Sequence, residues 1–168
     1  MRRATIIARS QRLSAWGAAA ARIAILATPV LALSAQPSPG ADGMALFGKA
    51  CAACHKKDGT GIAGLAPALA KAEWAAKGDP DTRRYLPLVV LNGLAGKIVA
   101  GGKTFVSAMP PQKQRSDDDI AMLATYVMAT LNPPPADWKD YTANEIATLR
   151  AEKIDHKGLL ALREKLLE

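Results

Sequence analysis

The chemistry of this sequence is concentrated in Cys51-Ala52-Ala53-Cys54-His55. Two thiols three residues apart, with an imidazole directly after the second, form the arrangement for covalent haem attachment. The thiols add to the two vinyl groups and the imidazole takes one axial position on iron. One turn of chain spans the vinyl-bearing edges, and the next side chain is directed under the metal. Cys51 and Cys54 are the only cysteines, and the only other histidine, His156, lies near the opposite end of the chain. A zinc site wants four ligands, and a thioredoxin-type pair follows a strand of a βαβ unit. Asp42 to Ala50 has no β-branched side chain and reads as helix. A disulfide across so short a loop is strained.

The elements that must position this motif are legible around it. Asp42 caps a helix whose apolar side is Met44, Phe47 and Ala50 and which delivers Cys51. After His55 comes a glycine-rich loop, Asp58-Gly59-Thr60-Gly61 and Gly64-Leu65-Ala66-Pro67, whose glycines let backbone pass close to a porphyrin edge. Lys71 to Lys77 is short and helical around Trp74. Asp79-Pro80 starts a helix that runs toward Asn92-Gly93, with Pro87 imposing a kink or dividing it into two short helices. Lys97 to Val106 reads as a hairpin turned at Gly101-Gly102 and leads to Ala108-Met109-Pro110-Pro111. Ser116 and Asp117 to Asp119 open a helix with Ile120, Leu123, Val127 and Leu131 on one face, ended by Asn132 and three prolines.

Residues 1–35 read as a cleavable secretory signal: five arginines without an acidic residue, an apolar run from Ile23 to Leu33, and small residues at Ala32-Leu33-Ser34-Ala35. The alternative is an uncleaved anchor, with Ala15 to Leu33 nearly spanning a bilayer. The formal charge of +7 belongs largely to this segment, which holds five of the 22 basic residues and none of the 15 acidic ones, so the remainder carries +2. Two haem propionates bring that close to neutral, and charge gives no support to nucleic-acid binding. Lys49, Lys56 and Lys57 bracket the motif, either as a local charged face or, the commoner case, as a featureless scatter of solvated lysines. Residues 36–132 make one domain, lean in aromatics, whose core a buried porphyrin would complete. Residues 133–168 form a proline-rich linker and a helical extension, with a capping box from Thr142 to Glu145, apolar Ile146 and Leu149, and a further apolar side at Leu159, Leu162 and Leu166. Those apolar sides brace the haem domain or face a partner subunit.

From Asp42 to Leu131 the chain resembles the class I cytochromes c, all-α monohaem proteins of three to five helices around one covalently bound haem. A second signature supports the resemblance: Gly43 and Phe47 precede Cys51 at four-residue intervals, and Leu123 with Tyr126 lies in the last helix of the domain. This is similar to the family's helix crossing, in which a glycine permits close approach and aromatic rings interlock. Asn92-Gly93-Leu94-Ala95-Gly96, the hairpin and Met-Pro-Pro are similar to small bacterial periplasmic cytochromes associated with dehydrogenases. The resemblance implies that Pro67 supplies the carbonyl that orients His55, and that Trp74, Tyr85 and Arg84 lie in regions used for propionate hydrogen bonds, with ordinary packing or a solvated surface charge the alternative for each.

Met109 is the expected sixth ligand. It lies in a loop between a hairpin and Pro110, whereas Met44, Met122 and Met128 fall on helices, where gap-filling core is the ordinary role. A thioether is a soft neutral donor that favours reduced iron. His156 is the minority alternative. Both axial positions are then filled, and the expected function is periplasmic one-electron transfer, as a soluble carrier or as the cytochrome subunit of a dehydrogenase. The donor is then a dehydrogenase, and the acceptor another cytochrome or an oxidase. The alternatives are a ligand-binding or peroxidatic haem protein with a displaceable sixth ligand and, more distantly, a thiol oxidoreductase.

Overall fold

The computed structural model describes residues 39–134 and 136–168; the signal segment read at residues 1–35 lies outside them. Helix α1 is Pro39–Ala50. Proline is favoured in the first turn, where its missing N–H leaves no bond unmade, so the helix starts ahead of Asp42. The cap expected at Asp42 is therefore corrected: this residue lies inside the first turn. Helix α2, Ala52–His55, is a single turn that follows at once, with the Cys51 carbonyl accepting from the His55 N–H at 2.9 Å.

Helix α4, Asp117–Tyr126, crosses α1. Ser116 caps it by accepting from the Asp119 N–H at 3.1 Å, and three aspartates occupy its first turn, matched to the positive end of the helix dipole. Gly43 sets the approach. A Cβ there would lie 2.7 Å from the Met122 carbonyl oxygen and 2.8 Å from Tyr126 Cβ. One turn on, the Phe47 and Tyr126 rings meet at 5.3 Å, tilted by 50°. The chain then widens into a π-helical turn, Val127–Leu131, and leaves the helix at Asn132. This side chain is buried and accepts from the Ala72 N–H at 2.7 Å while donating to the Leu69 and Val127 carbonyls, each at 2.8 Å.

Helix α3, Pro80–Asn92, is capped by Asp79, which accepts from the Thr82 N–H at 2.7 Å. It runs through Pro87 as one helix, so the division into two short helices does not occur. Pro87 has no N–H for the Arg83 carbonyl, and the Tyr141 hydroxyl donates to that carbonyl at 2.8 Å instead. Arg83 in turn lies over the Tyr141 and Trp138 rings, at 4.3 and 5.1 Å from their centroids. It forms two hydrogen bonds to Glu145, at 2.7 and 3.0 Å.

Strands β1, Ile98–Ala100, and β2, Lys103–Phe105, pair antiparallel with Ile98 opposite Phe105. Gly101 and Gly102 both have positive φ, 54° and 70°, as a two-residue type I′ turn requires. Helix α5, Ala143–Ala151, carries the complete capping box. Helix α6, His156–Leu167, is capped by Asp155. Ile146, Leu159 and Leu166 are buried in the same core as Leu88, Ile120 and Leu123. Arg150 ties α5 to the start of α4, donating to Asp117 at 2.8 Å and to the Lys113 and Arg115 carbonyls.

Two stability measurements test this arrangement. Tyr141→Phe should lose about 1 kcal/mol in denaturant unfolding, the ordinary worth of one such hydrogen bond. The loss should shrink in a Pro87→Ala background, where the helix supplies its own N–H to Arg83. Gly43→Ala should cost about 2 kcal/mol or more, because the added methyl meets backbone that cannot yield without separating α1 from α4.

Candidate functional site

His55 ends α2 and is buried. Its Nδ1 lies 2.9 Å from the Pro67 carbonyl oxygen. A carbonyl can only accept, so Nδ1 carries the hydrogen and Nε2 keeps its lone pair. Burial pushes the His55 pKa below its ordinary value, against the opposite pull of the Pro67 bond, so the ring is neutral at neutral pH. Neutral imidazole is the form that ligates a metal.

The loop that brings Pro67 to His55 is fixed by backbone bonds. The Gly59 carbonyl accepts from Leu69 and Ala70 at 2.8 and 3.0 Å, Ile62 and Ala66 exchange two bonds at 2.9 Å, and the Gly61 N–H donates to the His55 carbonyl at 3.0 Å. Gly61 has φ +74°, and a Cβ there would lie 2.5 Å from the Ala66 oxygen and 2.7 Å from the Pro67 oxygen. Only glycine leaves that carbonyl where it is.

Met109 is held just as firmly. Its N–H donates to the Leu94 carbonyl at 2.8 Å and its carbonyl accepts from the Leu94 N–H at 3.1 Å, an isolated antiparallel bridge. Gly93, with φ +72°, lies against it: a Cβ would be 2.5 Å from the Met109 oxygen.

Both residues line one cavity of about 1260 Å³ including its solvent-open mouth, together with Cys51, Cys54 and Pro67. Its remaining walls are almost wholly apolar, drawn from α3 (Leu86, Val89, Val90), α4 and its extension (Leu123, Val127) and the hairpin (Ile98, Phe105). The cysteines are free, Cys51 half-buried and Cys54 exposed. Burial pushes the Cys51 thiol up to about 11, partly opposed by the Arg115 charge, which keeps it as S–H. All five expected residues therefore meet at one cavity. Its shape and chemistry suit a large flat apolar group with a metal at its centre: neutral nitrogen, sulfur, two thiols and no carboxylate. Among the described residues no three His, Cys, Asp or Glu side chains converge as a metal cluster of their own.

Trp74 and Tyr85 line this cavity too, their rings edge to face at 5.2 Å. Arg84 does not, and of its two readings the structure has the surface charge. It pairs with Asp81 at 2.9 Å and with Glu152. His156 is likewise elsewhere, accepting from the Ala95 N–H at 3.3 Å. Sequence reasoning missed Leu94, whose bridge to Met109 has no local signature, and Arg163, which enters the cavity wall from α6.

Residues 38–127 match the family described as cytochrome c oxidase, cbb3-type, subunit III. Cytochrome c-552 of Thermus thermophilus is 36% identical over 130 residues, covering 75% of this chain and 97% of that protein. A second cytochrome c-552, from a named strain of the same species, has the same identity over the same length, with 86% of it covered. A helical domain with a two-stranded hairpin and a Cys-x-x-Cys-His turn on an apolar cavity defines a haem protein. The chain belongs to the c-type cytochromes, with the class I monohaem fold. Haem-based electron transfer is the activity that goes with that family.

Gly61→Ala should displace the Pro67 carbonyl and break its bond to His55. Loss of a slowly exchanging imidazole N–H resonance in the NMR spectrum, with a lowered thermal midpoint, is the expected result.

Proposed function

We propose that the chain is a periplasmic one-electron carrier, or the cytochrome subunit of a dehydrogenase. Its haem would be bonded covalently through Cys51 and Cys54 and axially through His55 and Met109. The observation that carries this reading is the convergence of a δ-protonated, buried His55 and a backbone-locked Met109 on one apolar cavity. A His/Met-ligated haem exchanges one electron at a potential raised by the neutral sulfur. The chain's own residues do the rest. Pro67 fixes the imidazole plane, Leu94 holds the methionine backbone, and the walls from α3 and α4 exclude water.

Electron carriage is favoured over peroxidatic chemistry by the cavity lining, whose titratable side chains beyond His55 are Cys51, Cys54, Tyr85 and Arg163, with no carboxylate base. For partners we propose a donor dehydrogenase and an acceptor cytochrome or oxidase; the matched family's description itself names an oxidase subunit. Leu65, 44% exposed at the cavity mouth, and the exposed Lys49, Lys56 and Lys57 are the groups a passing partner would meet. Export rests on the signal reading of residues 1–35. Among the described residues no helix is long and apolar enough to cross a membrane.

Visible spectra of oxidised and reduced holoprotein test the ligand set. The weak red-end band of a sulfur-to-ferric-iron bond should be present in the wild type, absent in Met109→Ala, and weakened in Gly93→Ala. Absence of the band from the wild type would overturn Met109 as the ligand, and rapid carbon monoxide binding to the reduced protein would then favour the gas-binding reading.

A further inference from the structure

The segment that carries the bridge to Met109 is thinly held by its own backbone. Leu94 pairs with Met109, and at Ile98 the chain enters the hairpin. Between them, among the described residues, Ala95, Gly96 and Lys97 make no hydrogen bond to another backbone group. Leu94, Gly96 and Ile98 all line the cavity, so this ribbon is part of the wall that also includes Met109. A wall segment without a ladder of its own opens easily unless something outside presses on it.

Helix α6 is what presses on it. The His156 ring accepts from the Ala95 N–H at 3.3 Å through Nδ1. Leu160 packs on Gly96: a Cβ at Gly96, where φ is +127°, would lie 2.7 Å from a Leu160 methyl. Arg163 donates from Nη2 to the Val99 carbonyl at 2.9 Å. His156, Leu160 and Arg163 are spaced i, i+4 and i+7, one face of a helix, and they meet Ala95, Gly96 and Val99 in the same order along the chain. Leu159 and Leu166 of the same helix are buried in the core, and Lys165 pairs with Asp81 of α3. One side of α6 is thus anchored on the fold, and another is laid along the ribbon.

We infer that α6 positions the sixth ligand: by holding Ala95 to Val99 it keeps the Leu94–Met109 bridge closed, and so sets how often Met109 leaves iron. His156 and Leu160 are then positioning residues that act through Leu94. The inference rests on the Met109 reading above and goes beyond it, since α6 lies outside residues 38–127 that match the family. Met109 leaves only if its loop moves, and that loop is tied to Leu94 by two backbone bonds. Moving Leu94 draws Ala95 and Gly96 off α6, which breaks the bond to His156 and uncovers Leu160. Each of these contacts adds to the cost of opening. None alters the ligand itself, so weakening them should speed release while the closed form keeps its sulfur-to-iron band.

The test is cyanide binding to the oxidised holoprotein, with amide hydrogen exchange at Leu94 and Met109 and the thermal midpoint measured on the same variants. Cyanide takes the iron position after Met109 has left, so at high cyanide the observed rate levels off at the rate of release. Leu160→Ala should raise that limiting rate about tenfold, the effect of losing half-buried packing. His156→Ala, which removes one exposed hydrogen bond, should raise it about threefold. Leu160→Met keeps the volume and should stay near the wild type. Exchange of the Leu94 and Met109 N–H groups should quicken in the same order. Ile146, buried on α5, supplies the control: Ile146→Val should lower the thermal midpoint without speeding release or exchange. Leu160→Ala with the wild-type limiting rate overturns the inference. So does Ile146→Val speeding release as much for the same loss of thermal midpoint, since a helix that merely braces the whole fold predicts that result. Should Leu160→Ala fail to fold, His156→Ala decides by the same two readouts. A wild type without the sulfur-to-iron band would instead overturn Met109 as the ligand, while amide exchange at Leu94 and Met109 would still show whether α6 holds their bridge.

Discussion

The close crossing of α1 and α4 at Gly43 is the constraint on which the rest of this structure depends. With only hydrogen on its Cα, Gly43 lets the Met122 carbonyl and Tyr126 come within contact of the α1 backbone, and Phe47 then interlocks with Tyr126. This fixes the line of α1 and therefore the direction in which it delivers Cys51, Cys54 and His55. The same crossing sets Leu123 and Val127 as a wall of the cavity opposite α3. A single close approach thus determines both where the reactive turn points and what apolar surface it faces.

The two sides of the site are built on different chain segments but by one device. Each ligating candidate is positioned by backbone hydrogen bonds made by a neighbour that glycine allows to come near: Gly61 beneath the Pro67 carbonyl, Gly93 beneath Met109. Backbone-held groups have few alternative rotamers or registers to sample, so the site is preorganised. Asn132 extends the same logic, since its one side chain joins the residues after the loop to the end of α4. Fixed axial geometry is what an electron-transfer site requires, because a centre that barely moves between oxidation states has little to reorganise.

Much of this was legible in the sequence because it is local. The Cys-x-x-Cys-His turn, the caps at Asp79, Ser116 and Thr142 and the paired glycines of the hairpin are each written within a few residues. The crossing of two distant helices was legible only through the resemblance that links Gly43 and Phe47 to Tyr126. What was missed is non-local. Arg84 and Arg163 are indistinguishable as residue types. Only the fold reveals that Arg84 finds Asp81 and Glu152 whereas Arg163, from the far end of the chain, turns inward. Pro87 reads as a break until Tyr141, 58 residues from Arg83, supplies the missing donor. Leu94 carries no mark of its bridge to Met109, because backbone pairing leaves no residue-type signal.

The position of Arg163 in the chain also bears on the order of assembly. Polypeptides are made from the N-terminus, so Cys51, Cys54 and His55 emerge more than a hundred residues before the wall contributed by α6. Until those last residues arrive, the cavity lacks the part of its wall that Arg163 supplies. The helix that completes the site is the last to be synthesised. The order of synthesis therefore places the Cys51 to His55 turn early and the part of its cavity wall that α6 supplies last.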